Sequence, residues 1–487
     1  MVHIAIDIGA SSGRLIEGTV DDGKIILNEI HRFPNKFNQK EKYACWDIHY
    51  LLKEILTGLQ IAKQKGISSC TVGIDTWAVD YALIDADGNL LQDIISYRDH
   101  RTDGIMEKVF KVISKEDIYK KTGLQFLSFN TLFQLFVENK NLLGKTDKIL
   151  LVPDYLNYCL TNKLTAEITN ASTTQLLNIK TRNYDSELLD LIGIHRDQFP
   201  NLVEPGTIIG PLLKDKFPSY NLPDCTVIAV GSHDTASAVL GVPATEGNWA
   251  YLSSGTWSLL GVELEHPVVT NESLEENYTN EYGAFQTYRF LKNIMGLWVI
   301  QEVKRLLPND LDFAELVSEA QSVTPFKQFI NFNDDRFLNP KNMIEEIKEY
   351  CRELNQPIPE TIPEIAAAIY HNLGIITAFH IDHIERIIGR PIEIVHIVGG
   401  GSNNAFLNQC ISTYSQRTVL AGPSEATAIG NLLIQFLYSG SISTIQEGRK
   451  IVQESFPLSR FDPKPFNKDA LFEQFIEATN LIRSDVS

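Results

Sequence analysis

The sequence predicts an α/β protein built from two copies of one domain pattern. Short apolar strands alternate with segments of helical periodicity along the chain. The strand, glycine turn and second strand of "IAIDIGASSGRLIEG" recur as "YLSSGTWSLLGVEL" beginning at Tyr251, and a repeat of a whole pattern marks a duplicated fold. At 487 residues the chain is also longer than one ordinary core organises, so two or more domains are expected.

The elements follow in order. "HIAIDIG" is an apolar run stopped by Gly9, a strand. "RLIEGTV" and "IILNEIHRF" flank the turn "DDGK" (Asp21 to Lys24), and a DG pair between two strands predicts a hairpin. "WDIHYLLKEILTGLQIAKQKG" carries apolar residues at three- and four-residue spacing and stops at Gly66, an amphipathic helix. "CTVGID" is a further strand. In "VIAVGSHDTASAVLG" an apolar run meets Gly231, and a helix is expected to begin at Thr235. Asp234 then either caps that helix or stands where α/β proteins place reactive groups, at a strand end followed by glycine. "GVPATEGN" (Gly241 to Asn248) is rich in turn formers and marks the boundary. The expected domains are 1–243 and 244–455, with a C-terminal extension over 456–487. "IEIVHIVGGGSNNAFLNQCI" reads as strand, three glycines and helix, and "SEATAIGNLLIQFLYSG" as the last long helix.

A net charge of -18 argues against nucleic acid or an anionic membrane as the main partner, since both are held by clustered Lys and Arg. It leaves room for a small phosphate ligand, which needs only local N–H donors and one or two cations. The six cysteines lie far apart with no CxxC spacing, so neither a zinc site nor a disulfide framework is expected, and a reducing cytoplasm fits. Asp7 interrupts the first apolar run and no basic leader precedes it, so no signal peptide is read. No continuous apolar run approaches the ~18 residues that span a bilayer.

The common phosphate loops are absent. "NLLGKTDK" has Gly144, Lys145 and Thr146, but Asn139 stands where a Walker loop needs glycine, and no GxGxxG follows a strand. His380 and His383 share a helix face without a third metal ligand and read as a structural pair. Trp46, Trp77, Trp257 and Trp298 read as core or pocket wall. Three glycine turns remain, "DIGASSGR", "SSGTWS" and "VGGGSNN", each after an expected strand. Glycine lets backbone N–H groups approach a ligand, and neighbouring hydroxyls add donors. Together they suggest two phosphate-contacting hairpins facing across a cleft, with the third turn holding a base. Asp7 would sit near a phosphate-bound Mg²⁺, through water, and Arg14 would neutralise developing phosphate charge.

With "GASSGR", "GIDTWAVD", "YRDHRT", "GLQFLSFNTLFQL", "ITNASTTQLLNI", "SHDTASAV", "YLSSGTWSL", "LKNIMGLW" and "NDDRF" in this order, the sequence resembles the FGGY sugar kinases, relatives of actin and Hsp70-type ATPases. The resemblance implies duplicated actin-like (ribonuclease H-like) ATPase domains around a central cleft. It implies ATP and Mg²⁺ as cofactors, and transfer of phosphate to the C1 hydroxyl of a ketose, with L-rhamnulose favoured. L-fuculose or a pentulose is the alternative within the family. An actin-like ATPase acting on a protein partner is the alternative outside it. Carried over by position, Ala10, Ser11, Ser12, Gly13 and Arg14 match the first phosphate loop and Thr256 the second. Gln301, Gly400 and Asn404 match nucleotide positions. Ala78, His233, Asp234, Thr235 and Asn293 match sugar positions, with Asp234 the catalytic base and His233 a hydroxyl donor pointing away from it. Ala78 departs from the Gly more often found there, which places an extra methyl against the sugar. A monomer or small homo-oligomer is expected.

Overall fold

The computed structural model describes residues 1–40, 42–245, 247–307 and 312–480. Its first large sheet has six strands: β1 (His3–Ile8), β2 (Ser12–Asp21), β3 (Lys24–Pro34), β4 (Ser69–Thr76), β5 (Ile208–Pro211) and β6 (Asp224–Ile228), ordered β5-β6-β4-β1-β2-β3. β1 lies between neighbours and is buried along its whole length, which explains a run that is apolar except at Asp7. It pairs antiparallel with β2 and parallel with β4, placing Asp7 opposite Asp75. The β2–β3 turn has positive φ at both Asp22 (47°) and Gly23 (73°), the hairpin geometry that DG predicts. Helix α1 (Ile48–Gln64) is capped by the Asp47 carboxylate on the Tyr50 N–H, and its Leu51, Ile55 and Leu59 join the core behind β1.

The second large sheet comprises β7 (Trp249–Ser254), β8 (Trp257–Leu264), β9 (Thr279–Tyr282), β10 (Tyr288–Met295), β11 (Ile394–Val398), β12 (Thr418–Ala421) and β13 (Ser459–Phe461), ordered β9-β10-β8-β7-β11-β12-β13. Its central strand repeats the pairing of the first: β7 is antiparallel to β8 and parallel to β11. The repeat read in the sequence is therefore a repeat of topology.

Two helices join the halves. α2 (Asp234–Leu240) follows β6, and α5 (Ala426–Ser439) follows β12, after α3 (Ile362–Ile388) and α4 (Ala405–Ser415). α2 and α5 cross so closely that a Cβ on Gly430 would overlap the Ser237 carbonyl, and one on Gly241 the Ala426 carbonyl. α5 also rests on the first sheet. Its Asn431 Nδ2 donates to Asp75 Oδ2 (2.6 Å) and its Gln435 Nε2 to the Ile4 carbonyl (3.1 Å).

Two expectations need correction. α5 is not the last helix, because Ile445–Ser455 and Lys468–Thr479 follow it and β13 extends the second sheet. α3 is long and apolar enough to cross a membrane by length and composition, although 83% of its apolar window is buried in the molecule. His371 and Asn372 break its apolar run in sequence; in the fold they bond to Tyr414 and to the Gln328 carbonyl, so α3 serves as the core helix of the second half. Glu246 of the turn-rich boundary and residues 481–487 of the expected extension lie outside the described residues.

Candidate active site

A cavity of about 430 Å³ opens between the halves. Gly9, Ala10 and Ser11, from the turn after β1, and Arg14, on β2, line one wall, and Gly255 and Thr256, from the β7–β8 turn, line another. Gly399, Gly400 and Asn403 follow β11 at the same cavity. A Cβ at Gly400 would meet nothing within 4 Å, and at Gly9 or Gly255 the nearest atom would be 3.7 Å away. None of the three has a positive φ that would itself call for glycine. Neither backbone conformation nor packing demands glycine there, so these turns present bare backbone to the cleft, the surface phosphate oxygens need.

Four of the expected nucleotide residues stand outside this wall. Gly13 is buried in β2, where a Cβ would fall inside the Phe33 ring, so packing alone explains its glycine. Ser12 opens β2 opposite Pro34. Gln301 is half-buried on the helix Trp298–Arg305. The Asn404 side chain caps α4, accepting from Leu407 N at 3.0 Å, and its neighbour Asn403 reaches the cleft instead.

Arg14 spans the cleft. Its Nε and Nη2 donate to Asp7 Oδ2 (3.1 and 2.7 Å), and its Nη1 lies 2.7 Å from Oε2 of Glu425, at the start of α5. Burial works against its charge, yet Asp7 and Glu425 hold it above its ordinary value. Burial, with Asp7 beside it, pushes the Asp75 carboxyl well above the usual carboxylate range. Asp7 and Glu425 both line the cavity; Asp75 lies behind it. Among the described residues no cluster of three or more His, Cys, Asp or Glu is arranged to hold a metal.

At the other end the cavity is lined by Ala78, His233, Asp234, Thr235 and Asn293. Asp234 is the first residue of α2 and not its cap. The N-cap position falls on His233, which makes no side-chain capping bond. Asp234 Oδ1 accepts from Thr235 Oγ1 (3.3 Å), the Thr235 backbone also steadies the charged carboxyl, and the carboxyl, 31% exposed, opens into the cleft. Burial among the cleft walls raises its pKa, opposed by His233 and reinforced by Asp7.

His233 does not point away from Asp234, as adjacent residues were expected to do: its Nε2 is 3.5 Å from Asp234 Oδ1. The two converge because the chain turns from extended backbone at His233 (ψ 122°) into the helix. Arg289, fully buried on β10, donates from Nη2 toward His233 Nδ1 at 3.2 Å. Nδ1 accepts when Arg289 is its partner and donates when Glu281 is, and Nε2 faces Asp234 and the cleft. Glu281 Oε2, 2.9 Å from Arg289 and 3.1 Å from Nδ1, balances the buried cation, and, against burial, Arg289 and His233 together hold its carboxyl below the usual range.

Trp77 and Trp257 form part of the cavity wall, Trp46 packs behind Trp77, and Trp298 lies beneath Arg98. Asp80 accepts from both the Trp46 and Trp77 indoles (2.7 and 3.0 Å). Between Trp77 and Asp80, Val79 adopts φ 65°, a left-handed conformation that costs a β-branched residue energy and is pinned by Thr131 Oγ1 donating to its carbonyl (2.7 Å). His380 and His383 are buried partners of Tyr278 and Glu276, as structural residues are. The sequence reading did not single out Gln125, Glu281, Arg289 or Glu425. Gln125 and Glu425 lie inside quoted segments, but nothing local shows that folding brings them to the cleft.

Two topologically equivalent sheets, a pair of crossing helices and a cleft faced by glycine turns define a two-lobed enzyme with the actin-like ATPase fold. Residues 2–241 match the N-terminal domain, and residues 250–438 the C-terminal domain, of the FGGY family of carbohydrate kinases. The chain belongs to this family and is an ATP-dependent sugar kinase. It is 53% identical to the rhamnulokinase of Bacillus subtilis (strain 168), covering 98% of each chain, and 52% identical to that of Ligilactobacillus salivarius (strain UCC118), covering 95% of each. Among solved structures it resembles a ligand-bound xylulose kinase from Lactobacillus acidophilus (TM-score 0.81, 18% identity, 100% and 98% of the chains). It also resembles Plasmodium falciparum glycerol kinase with ADP (TM-score 0.76, 17% identity, 99% and 97%).

Proposed function

We propose that this kinase transfers the γ-phosphoryl group of ATP to the C1 hydroxyl of L-rhamnulose, giving L-rhamnulose 1-phosphate in L-rhamnose breakdown. The observation that carries the mechanism is the Asp234 carboxylate, on the first residue of α2 and open to the cleft that the glycine turns line. Rhamnulokinases about half identical over nearly the whole length support the choice of sugar.

In this reading Asp234 accepts the proton of the attacking hydroxyl as its oxygen bonds phosphorus. The bond from phosphorus to the bridging oxygen breaks, and ADP leaves with the electron pair. His233, its ring fixed between Arg289 and Glu281, donates from Nε2 to a neighbouring sugar hydroxyl. Ala78, Thr235 and Asn293 complete the sugar site. Ala10, Ser11 and Thr256 present the phosphate loops to the cleft, and Ser12 and Gly13 carry the first loop into β2. Gly400 lies at the nucleoside end, and Gln301 and Asn404 are assigned to that end by position alone. Arg14, already held between carboxylates, offers its charge to the transferring phosphoryl. Mg²⁺ fits Asp7, whose Oδ2 is held by Arg14 while the other oxygen has no hydrogen-bond partner among the described residues, which also form no closed cage of metal ligands there. When bound there it would neutralise phosphate charge. Residues 1–243 would carry the sugar site, first phosphate loop and base, 244–455 the second loop and adenosine, and 456–487 an extension. A cytoplasmic monomer or small homo-oligomer fits this reading.

ADP release measured with L-rhamnulose, L-fuculose, a pentulose and no sugar, across pH, tests it. L-rhamnulose is expected to give the highest kcat/KM. A folded pKa above the ordinary value means that Asp234 loses its proton only at higher pH, so the acid limb should lie above the usual carboxylate range. Preference for another ketose would overturn the substrate, and sugar-independent turnover would favour an ATPase working on a protein partner.

A further inference from the structure

Gln125 lies in the "GLQFLSF" stretch of the first half and is only 5% exposed, yet it lines the sugar end of the cleft. Its main chain is fixed from both sides. Asn130 Nδ2 donates to its carbonyl (2.8 Å), and the next residue, Phe126, exchanges hydrogen bonds with the Asn277 side chain (2.8 and 3.2 Å). Its side chain reaches across to β10, where Oε1 accepts from both the backbone N and the Nδ2 of Asn293, at 3.1 and 3.0 Å.

A backbone N–H can only donate, so the atom facing it must be the amide oxygen. Nε2 is thereby turned the other way, and it has no hydrogen-bond partner among the described residues. The same bonds commit Asn293 Nδ2 and leave Asn293 Oδ1 without a partner among the described residues. Neither unpaired atom is fully buried, and both residues line the cavity, so both groups are open to a ligand there. The two side chains together offer one donor group and one acceptor, the complement of a single hydroxyl, which accepts and donates at once.

We propose that Gln125 is a sugar-binding, specificity-determining residue, donating from Nε2 to a ketose hydroxyl that in turn donates to Asn293 Oδ1. Because Gln125 belongs to the first half and Asn293 to the second, that hydroxyl would be read by both halves together. The inference rests on the sugar lying at Asp234, His233 and Asn293, but not on which ketose it is.

Gln125→Glu is the informative variant. It keeps an oxygen for both Asn293 donors and replaces only the Nε2 donor. Gln125→Met, of similar length, removes both functions and serves if the Glu variant does not fold. Each is assayed with the ketose that the wild-type enzyme prefers and with its mono-deoxy analogues; ATP binding and melting temperature report the fold. A wild-type enzyme that turns over no ketose would refute the sugar-kinase reading itself. The proposal predicts a rise of about 10-fold or more in sugar KM for Gln125→Glu, with ATP affinity unchanged. It also predicts one deoxy analogue for which variant and wild type no longer differ. An unchanged sugar KM in Gln125→Glu would overturn it, leaving Gln125 only to hold Asn293. So would an equal loss against every analogue.

Discussion

Gly255 and Gly400 have room for a methyl group and ordinary φ values, whereas Gly13, two positions before Leu15 on the same strand, has neither the room nor a place in the cleft wall. The three glycines read alike in sequence because the requirement is set by what lies opposite: a ring in one case, open cleft in the others. Gly255→Ala and Gly400→Ala should therefore leave the melting temperature near wild type while weakening ATP binding by about 10-fold or more, since each methyl stands where backbone must approach a ligand. Gly13→Val should do the reverse, costing about 1–3 kcal/mol by overpacking Phe33. Calorimetric ATP titration together with thermal melts separates the two. Normal ATP affinity in both alanine variants would remove those turns from the nucleotide site. The same limit hid Arg289 and Glu281 from the sequence reading, because their meaning lies in contact with His233 across 56 and 48 positions.

At the scale of elements, strands and helices with strong local signals were legible: the β2–β3 hairpin from DG, α1 from its periodicity and Gly stop, and β7–β8 as an echo of β1–β2. The stretch between β4 and β5 was not, since helices such as Met106–Val109, Lys140–Leu143 and Ile168–Ala171 are a single turn long, too short for a periodic pattern. The crossing of α2 and α5 was also invisible, because Gly430 is just a mid-helix glycine until Ser237 is brought against it. Gly430→Ala, which on propensity alone would strengthen α5, should instead force the two helices apart and destabilise the fold by about 1–3 kcal/mol. A melt of the Gly430→Ala protein decides it, and a raised melting temperature would contradict the close crossing.

For the whole molecule, the two sheets matter because the first delivers one glycine turn and the second two to the same cleft, and the crossing helices fix how those turns face each other. Contacts across the cleft at Arg14–Glu425 and Gln125–Asn293 tie the nucleotide end and the sugar end to both halves. The order of the motifs showed in the sequence that such a cleft exists. Only the fold shows that Asp234 is the first residue of α2 rather than its cap position, with its carboxylate opening into that cleft. The central claim is that this carboxylate takes the proton of the attacking hydroxyl. Asp234→Asn keeps the shape and removes the acceptor, and general-base contributions are commonly ~10²–10⁴-fold. The measurement is turnover by the folded Asp234→Asn enzyme at saturating ATP and ketose. The account predicts a kcat lower by about 10²-fold or more, with ATP still bound, and a kcat close to wild type would contradict it.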